Sequence, residues 1–195
     1  MNIIQSIFTI DAHTTGSPIR VVTGGIPNLK GKNISEKMDC MMQNYDNLRT
    51  FLLQQPRGCL SLMCAVLTDT NVEGADFGLF YMDAGGYQPM CGAGTMAAAK
   101  CIVESGMVKR TSPKTRVTFE TGAGLVSVDV NETPQGTTTT LNNAPAFLYM
   151  QDKLIDVPTI GKIKFDMVFG GNFFAVVDTQ QLGFKITPQS IPTMA

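Results

Sequence analysis

The sequence has few charged residues and almost no net charge, which excludes several classes of protein. Of its 195 residues only 16% are charged, the net charge is −1 at pH 7, and no cluster of basic residues occurs. Such a chain has no electrostatic field that would attract nucleic acid or an anionic membrane surface. No uninterrupted apolar run approaches the roughly 20 residues of a membrane span. The hydrophobic content of 44% is instead typical of a folded globular protein.

The N-terminal run of the sequence does not have the form of a signal peptide. Residues 1–10 alternate between apolar and polar side chains, and the charged Asp11 follows before an apolar run of signal-peptide length is complete. We therefore expect a cytoplasmic protein that has neither a membrane nor a nucleic acid as its partner.

Histidine is almost absent, and the cysteines are odd in number. The chain has one histidine, His13, and five cysteines that form no compact disulfide framework. A zinc site would need mostly thiolate ligands, and the one close pair, Cys59 and Cys64, lacks a second pair to complete it. We expect no bound metal and a structural role for His13. Four of the thiols are predicted to be buried apolar side chains: Cys40, Cys59, Cys64 and Cys101.

The spacing of apolar residues predicts a mixed α and β protein. Residues 35–53 show helical spacing and predict an amphipathic helix, whereas the alanine-rich residues 96–104 predict a mostly buried one. Short strands are predicted at residues 2–10, 19–23, 59–68, 77–82, 115–120, 125–130, 137–141, 163–169 and 173–178. Many short strands around one apolar helix indicate the α+β class, with a curved, mostly antiparallel sheet wrapped around that central helix.

The chemistry is concentrated in the stretch from Asp83 to Thr95, which reads Asp-Ala-Gly-Gly-Tyr-Gln-Pro-Met-Cys-Gly-Ala-Gly-Thr. It joins a predicted buried strand to the central helix, and Gly92 and Gly94 leave backbone N–H groups uncovered by side chains. A helix start adds unpaired N–H donors and partial positive charge. An anion such as a carboxylate therefore binds there, and a thiol there ionises more easily. Cys91 is placed for both effects.

The same stretch resembles a family signature. Residues 89–95, Pro-Met-Cys-Gly-Ala-Gly-Thr, are similar to the Met-Cys-Gly-His-Gly-Thr signature of the proline racemase family, which includes hydroxyproline epimerases and hydroxyproline dehydratases. Four other stretches resemble family segments in the same order: residues 10–27, residues 55–58 (Gln-Pro-Arg-Gly), residues 121–126 (Thr-Gly-Ala-Gly-Leu-Val) and residues 170–178 (Gly-Gly-Asn-Phe-Phe-Ala-Val-Val-Asp). The resemblance covers essentially the whole chain.

The resemblance implies a diaminopimelate epimerase-like fold of two similar lobes, with the substrate between them and facing the starts of two central helices. We expect residues 1–169 to form the first lobe and residues 170–195 to begin a second lobe that is truncated. The family's second motif, Asp-Arg-Ser-Pro-Cys-Gly-Thr-Gly-Thr, does not occur in this sequence. Cys101 cannot replace its cysteine, because ten helical residues place it about 15 Å from Cys91 along the helix axis.

The resemblance also implies a reaction that needs no cofactor. Family members invert the carbon next to the carboxylate of proline or 4-hydroxyproline with two cysteines, one a thiolate base and the other a thiol acid. Cys91 corresponds to one of the pair, and the backbone N–H groups of Gly92, Ala93 and Gly94 are the expected donors to the substrate carboxylate. Ala93 stands where the family usually has histidine. Residues 59–61, Cys-Leu-Ser, replace a polar triplet that begins with histidine in many members.

Three interpretations of the sequence stay open. The first is a proline racemase or hydroxyproline epimerase that is inactive as an isolated chain, with a second copy or a second-lobe polypeptide as its partner. The second is the trans-3-hydroxyproline dehydratase subclass, which differs at the absent motif, or a non-catalytic lobe that only binds a ligand or a partner. The third is an unrelated protein in which Cys91 is a buried core thiol.

Overall fold

The computed structural model of the chain describes residues 5–158, 160–183 and 185–190. Contacts between residues divide the chain into two compact units, Met1–Ala144 and Pro145–Ala195. The division does not fall at the expected boundary between residues 169 and 170. That boundary lies in the turn between two paired strands, which both belong to the second unit.

The first unit contains a sheet of eight strands. They are β1 (Phe8–Thr14), β2 (Ser17–Gly24), β3 (Met63–Thr68), β4 (Phe77–Met82), β5 (Tyr87–Gln88), β6 (Lys114–Thr121), β7 (Gly124–Thr133) and β8 (Gly136–Asn142). The order across the sheet is β1-β2-β3-β4-β6-β7-β8, and β5 pairs with the end of β4. Neighbouring strands are antiparallel except for two parallel pairs, β2 with β3 and β4 with β6.

Helix α2 (Gly92–Glu104) is the centre of this unit. Its alanines favour the helix, and eight of its thirteen residues are buried, as expected for a helix that is apolar on nearly every face. It contacts β1, β2, β3, β7 and β8. Because both edge strands, β1 and β8, reach the same helix, the sheet must curve around it. The predicted α+β class, with a curved, mostly antiparallel sheet around a central apolar helix, is confirmed.

Helix α1 (Ile34–Leu53) matches the predicted amphipathic helix. Asn33 is its N-cap, and the Asn33 side chain accepts the Glu36 N–H at 2.9 Å. The helix contacts β3, β4 and β6 through one apolar face, and its buried side chains include Met41, Leu48, Leu52 and Leu53. Neither α1 nor any other helix of the described residues is long and apolar enough to cross a membrane.

The first strand lies further along the chain than predicted. β1 begins at Phe8 rather than at residue 2, and residues 1–4 lie outside the described residues. Thr15 and Gly16 form a tight turn between β1 and β2, which pair as far as Thr14 opposite Ser17.

The strand predicted over residues 59–68 also begins later, at Met63. The Leu62 N–H donates to the Cys59 carbonyl at 3.1 Å and closes a turn over residues 59–62. That turn leaves Cys59 exposed, so the prediction of a buried thiol at this position is wrong.

The second unit contains a three-stranded antiparallel sheet. Its strands β9 (Phe147–Val157), β10 (Gly161–Phe169) and β11 (Phe173–Val177) lie in the order β11-β10-β9. Neighbouring rings of an aromatic cluster on this sheet have centroids 5.1–5.2 Å apart. The cluster consists of Phe147, Tyr149, Phe169 and Phe173. Three of these rings are about half exposed, so the sheet presents an open apolar face.

Candidate active site

Cys91 lies at the N-cap of α2. Its backbone is extended (φ −144°, ψ 111°), and the helix begins with the next residue, Gly92. The Cys91 carbonyl accepts the Thr95 N–H at 2.9 Å, which closes the first helical turn. Its Sγ accepts the Gly94 N–H at 3.4 Å, in the way that a serine or aspartate oxygen does at other helix starts. The helix start therefore holds the half-buried sulfur in contact with a backbone donor.

Two further N–H groups at this helix start are free. Within the described part of the chain, no acceptor contacts the N–H of Gly92 or that of Ala93. Such groups carry the partial positive charge of the helix start, so a carboxylate can bind to them beside the Cys91 sulfur. The third expected donor, the N–H of Gly94, already donates to that sulfur.

Two segments that are distant in sequence close around the start of α2. The Thr14 Oγ1, at the end of β1, donates to the Ala93 carbonyl at 3.1 Å. The Gly122 N–H, in the turn between β6 and β7, donates to the Pro89 carbonyl at 3.1 Å. A Cβ on residue 122 would lie 2.5 Å from the Pro89 Cβ, so the close approach requires glycine. Both segments belong to stretches that resemble family segments, and the fold brings them to the cysteine motif.

A further stretch of this kind, residues 55–58, is fixed by Arg20 of β2. The Arg20 guanidinium donates to both carboxylate oxygens of Asp11, at 2.8 and 2.7 Å, and to the Arg57 carbonyl at 2.8 Å. The hydrogen bonds from Arg20 hold the pKa of Asp11 below its ordinary value. One side chain thus ties the first hairpin to the Pro-Arg-Gly segment.

The other four thiols have different surroundings. Burial raises the pKa of Cys64 to about 12 and also raises the pKa of Cys101, so the buried thiols predicted there are confirmed. Cys40 is only half-buried. Cys59 is exposed, and hydrogen bonding by the Ser61 hydroxyl, 3.3 Å away, and by nearby backbone N–H groups lowers the pKa of Cys59. The described residues contain no group of three or more His, Cys, Asp or Glu side chains that could hold a metal ion.

His13 forms a hydrogen bond within the turn of the first hairpin. Its Nδ1 accepts the Gly16 N–H at 3.3 Å, which agrees with the structural role expected for it. The side chain also lines a cavity of about 610 Å³ between β1, α2 and β8, and a second cavity of about 570 Å³ lies near Cys59. Cys91 lines neither of these two cavities.

Sequence reasoning missed two residues that contact the cysteine motif. Thr14 lies in a stretch that resembles a family segment, but nothing in its spacing distinguishes it from its neighbours. Tyr81 lies in the predicted strand before the motif, and its hydroxyl is 2.6 Å from the Thr95 Oγ1. Strand pairing and helix packing decide both contacts, so no local pattern in the sequence indicates them.

Comparison with known proteins shows which protein family the chain resembles over most of its length. The family model described as proline racemase matches residues 9–195. The chain is 42% identical over 191 residues to a proline racemase of Clostridioides difficile, covering 97% of this chain and 57% of that protein. It is 37% identical over 175 residues to a 4-hydroxyproline 2-epimerase of Streptosporangium roseum, covering 89% of this chain and 53% of that protein.

A solved structure shares the fold. The crystal structure of a hydroxyproline epimerase from Agrobacterium vitis, with bound trans-4-hydroxy-L-proline, matches with a TM-score of 0.87 at 28% identity. The match covers 96% of this chain and 56% of that one, so this chain spans little more than half the length of its relatives. Since the family model and the sequence identity both extend over nearly all of its residues, the chain belongs to the proline racemase family.

Proposed function

We propose that Cys91 is one acid–base group of a cofactor-independent proline racemase or 4-hydroxyproline epimerase. The observation that carries the proposal is a cysteine at a helix N-cap, with its sulfur on the Gly94 N–H and two free N–H groups, those of Gly92 and Ala93, beside it. Among the described residues, no other cysteine lies at a helix start. Proline and 4-hydroxyproline are the proposed substrates because the relatives from C. difficile and S. roseum bear those names.

The substrate carboxylate would bind at the helix start. Its oxygens accept the N–H groups of Gly92 and Ala93, which need no rearrangement to donate. The Gly94 N–H donates to the Cys91 sulfur at the same time. The three successive N–H groups therefore hold the substrate carboxylate and the thiolate next to each other. Ala93 takes part through its backbone alone, because its methyl group has no donor.

The proposed chemistry is the transfer of one proton. The Cys91 thiolate takes the α-proton, so that an S–H bond forms and the C–H bond breaks. The electron pair of that bond passes into the carboxylate, and the N–H donors stabilise the extra charge there. Return of the proton from Cys91 restores the original configuration, whereas inversion requires a second acid on the opposite face.

The second acid is proposed to come from another polypeptide or from a second copy of the chain. The 195 residues contain one Cys-Gly-x-Gly segment. The mechanism that the family resemblance implies uses two opposed cysteines. The open aromatic cluster on β9, β10 and β11 supports this proposal, since such an apolar surface is commonly covered by a partner. On this proposal a single copy of the chain is catalytically incomplete.

We also propose a cytoplasmic location. All five cysteines are free thiols in the structure. Unpaired cysteines are typical of reducing compartments, whereas exported proteins of this size often carry disulfides.

The test follows the α-proton in heavy water. L-proline and 4-hydroxyproline are incubated in D₂O with the isolated chain, and deuterium uptake and optical rotation are measured together. We expect slow uptake with retention of configuration, because loss of one positioned acid typically costs about 10²–10⁴-fold in rate. Trans-3-hydroxyproline is included because loss of water from it would identify the dehydratase subclass.

Two cysteine variants decide the outcome. Cys91→Ser should abolish deuterium uptake, whereas Cys59→Ser, which changes an exposed thiol in a surface turn, should leave it unchanged. Uptake that survives in Cys91→Ser would remove Cys91 from the mechanism. Inversion at ordinary enzyme rates that depends on Cys91 would show that the second acid comes from the chain itself or from a second copy, and that no other polypeptide is needed.

A further inference from the structure

A buried pair of hydroxyl groups lies beneath Cys91, between the central helix and the sheet. Tyr81, in β4, and Thr95, in the first turn of α2, are both 0% exposed. Their hydroxyl oxygens are 2.6 Å apart, and the Thr95 Oγ1 also donates to the Cys91 carbonyl at 2.7 Å. Each hydroxyl has a single proton. Because Thr95 gives its proton to the carbonyl, Tyr81 is the donor to Thr95.

The ring of Tyr81 supports a second group at the same place. A Cβ on residue 94 would lie 3.0 Å from both Cδ1 and Cε1 of Tyr81, so Gly94 packs directly on the ring. The Gly94 N–H is also the donor that contacts the Cys91 Sγ. One aromatic side chain therefore supports both sides of Cys91: its hydroxyl acts on the carbonyl through Thr95, and its ring acts on the sulfur through Gly94.

We propose that Tyr81 and Thr95 are positioning residues for Cys91, and that the chain of hydrogen bonds from Tyr81 through Thr95 to the Cys91 carbonyl controls the reactivity of the thiol. The carbonyl accepts two donors from one residue, the Thr95 N–H at 2.9 Å and the Thr95 hydroxyl at 2.7 Å. These two bonds fix the peptide group next to the thiol, and hence the direction of the sulfur towards Gly94. The role in catalysis rests on the proposed function of Cys91, whereas the effect on its thiol does not.

The two hydroxyl groups differ in what their removal leaves behind. Thr95→Val takes one donor from the Cys91 carbonyl and leaves the buried Tyr81 hydroxyl without its acceptor, which is costly because no water reaches it. Tyr81→Phe leaves Thr95 bonded to the carbonyl and keeps the ring that supports Gly94. The valine variant should therefore have the larger effect.

The test measures the rate of iodoacetamide alkylation at Cys91 in the native chain by peptide mass spectrometry, with the exposed Cys59 as a reference in the same molecule. We expect the ratio of the Cys91 rate to the Cys59 rate to fall about threefold in Tyr81→Phe and about tenfold in Thr95→Val, the range that corresponds to one or two hydrogen bonds. Thr95→Ser keeps the hydroxyl and should restore the ratio. The double variant should match Thr95→Val alone, since both changes break one chain of bonds.

Matched variants elsewhere provide the controls. Tyr87→Phe removes a hydroxyl that donates to Asp46 at 3.0 Å, and Thr115→Val removes the hydroxyl of a buried threonine on β6. Neither should change the Cys91 ratio by more than about twofold, a change smaller than one hydrogen bond produces. Labelling of the buried Cys64 reports unfolding, and if Thr95→Val unfolds, Tyr81→Phe and Thr95→Ser decide the question.

Three results would overturn the inference. The first is a ratio of Cys91 to Cys59 alkylation rates that is no lower in Tyr81→Phe than in Tyr87→Phe. The second is a ratio in Thr95→Ser that stays as low as in Thr95→Val. The third is a double variant, Tyr81→Phe with Thr95→Val, in which the effects of the two single changes add in full. Deuterium uptake that persists in Cys91→Ser would instead refute the proposed function and leave this inference standing, because alkylation involves no proline.

Discussion

Replacing the two motif glycines one at a time separates their structural roles. A Cβ at Gly94 would lie 3.0 Å from two ring carbons of the fully buried Tyr81, and 3.5 Å from the Cys91 Sγ. A Cβ at Gly92 would meet only the Leu141 Cδ2, at 3.3 Å, which is the end of a flexible side chain. The two alanine variants therefore add the same methyl group at positions two residues apart. At residue 94 the methyl group meets a rigid ring, whereas at residue 92 it meets only a flexible side chain.

The magnitudes follow from two opposing effects. Adding a methylene to a well-packed core costs about 1–3 kcal/mol, whereas replacing glycine by alanine in a helix stabilises it by up to about 1 kcal/mol. Gly94→Ala should therefore lower the free energy of unfolding by about 0–3 kcal/mol. Gly92→Ala should leave it unchanged or raise it by up to about 1 kcal/mol, because Leu141 can move aside.

Thermal unfolding of the two variants, followed by circular dichroism, checks these values. The helix contribution is common to both variants, so they differ by the packing cost of about 1–3 kcal/mol. For a chain of this size each kcal/mol shifts Tm by about 2–4 °C, so Gly94→Ala should melt about 2–12 °C below Gly92→Ala. The parent chain is the common reference for both. If Gly94→Ala were as stable as Gly92→Ala, the contact between Gly94 and the Tyr81 ring could not be tight, and the reasoning would fail.

Three more predictions concern the thiols, a buried carboxylate and the second unit. Native alkylation should label Cys91 and Cys59 but neither Cys64 nor Cys101, and all five thiols should react after denaturation; a disulfide would contradict a cytoplasmic location. Arg116 donates to both carboxylate oxygens of Asp129 and lowers its pKa to about 2, so the stability from this pair is present above about pH 4 and lost as the pH falls towards 2. Asp129→Asn should remove this acid-dependent part of the stability, and acid titrations of the two chains that superimpose would refute it. The open aromatic cluster should make the chain self-associate, and a stable monomer at high concentration in sizing chromatography would count against this.

The two helices were predicted well because their signals are local. Helical spacing and a capping asparagine define α1, and an alanine-rich run after a glycine motif defines α2. The position of Cys91 at a helix start follows from the same local pattern. The resemblance to the proline racemase family, also a property of the sequence, is confirmed by the match over residues 9–195.

The errors lie where distant residues decide the structure. Cys59 looks like part of an apolar strand, but the register of β3 against β2 begins at Ile19 opposite Met63, and the residues before it close a turn on the surface. The lobe boundary expected between residues 169 and 170 follows from the resemblance to family segments and stays a prediction. That position lies in the turn between β10 and β11, which pair within one sheet.

The sequence alone determined the α+β class, the central apolar helix and the presence of a thiol among backbone donors at its start. Only the tertiary structure decided what surrounds that thiol, because each neighbour comes from another part of the chain. Thr14 reaches the Ala93 carbonyl across 79 residues of sequence, and the Tyr81 hydroxyl reaches Thr95 from the strand before the motif. A hydrophobic pattern determines which face of an element is buried, but contacts at 2.6–3.1 Å depend on how the buried faces pack against one another.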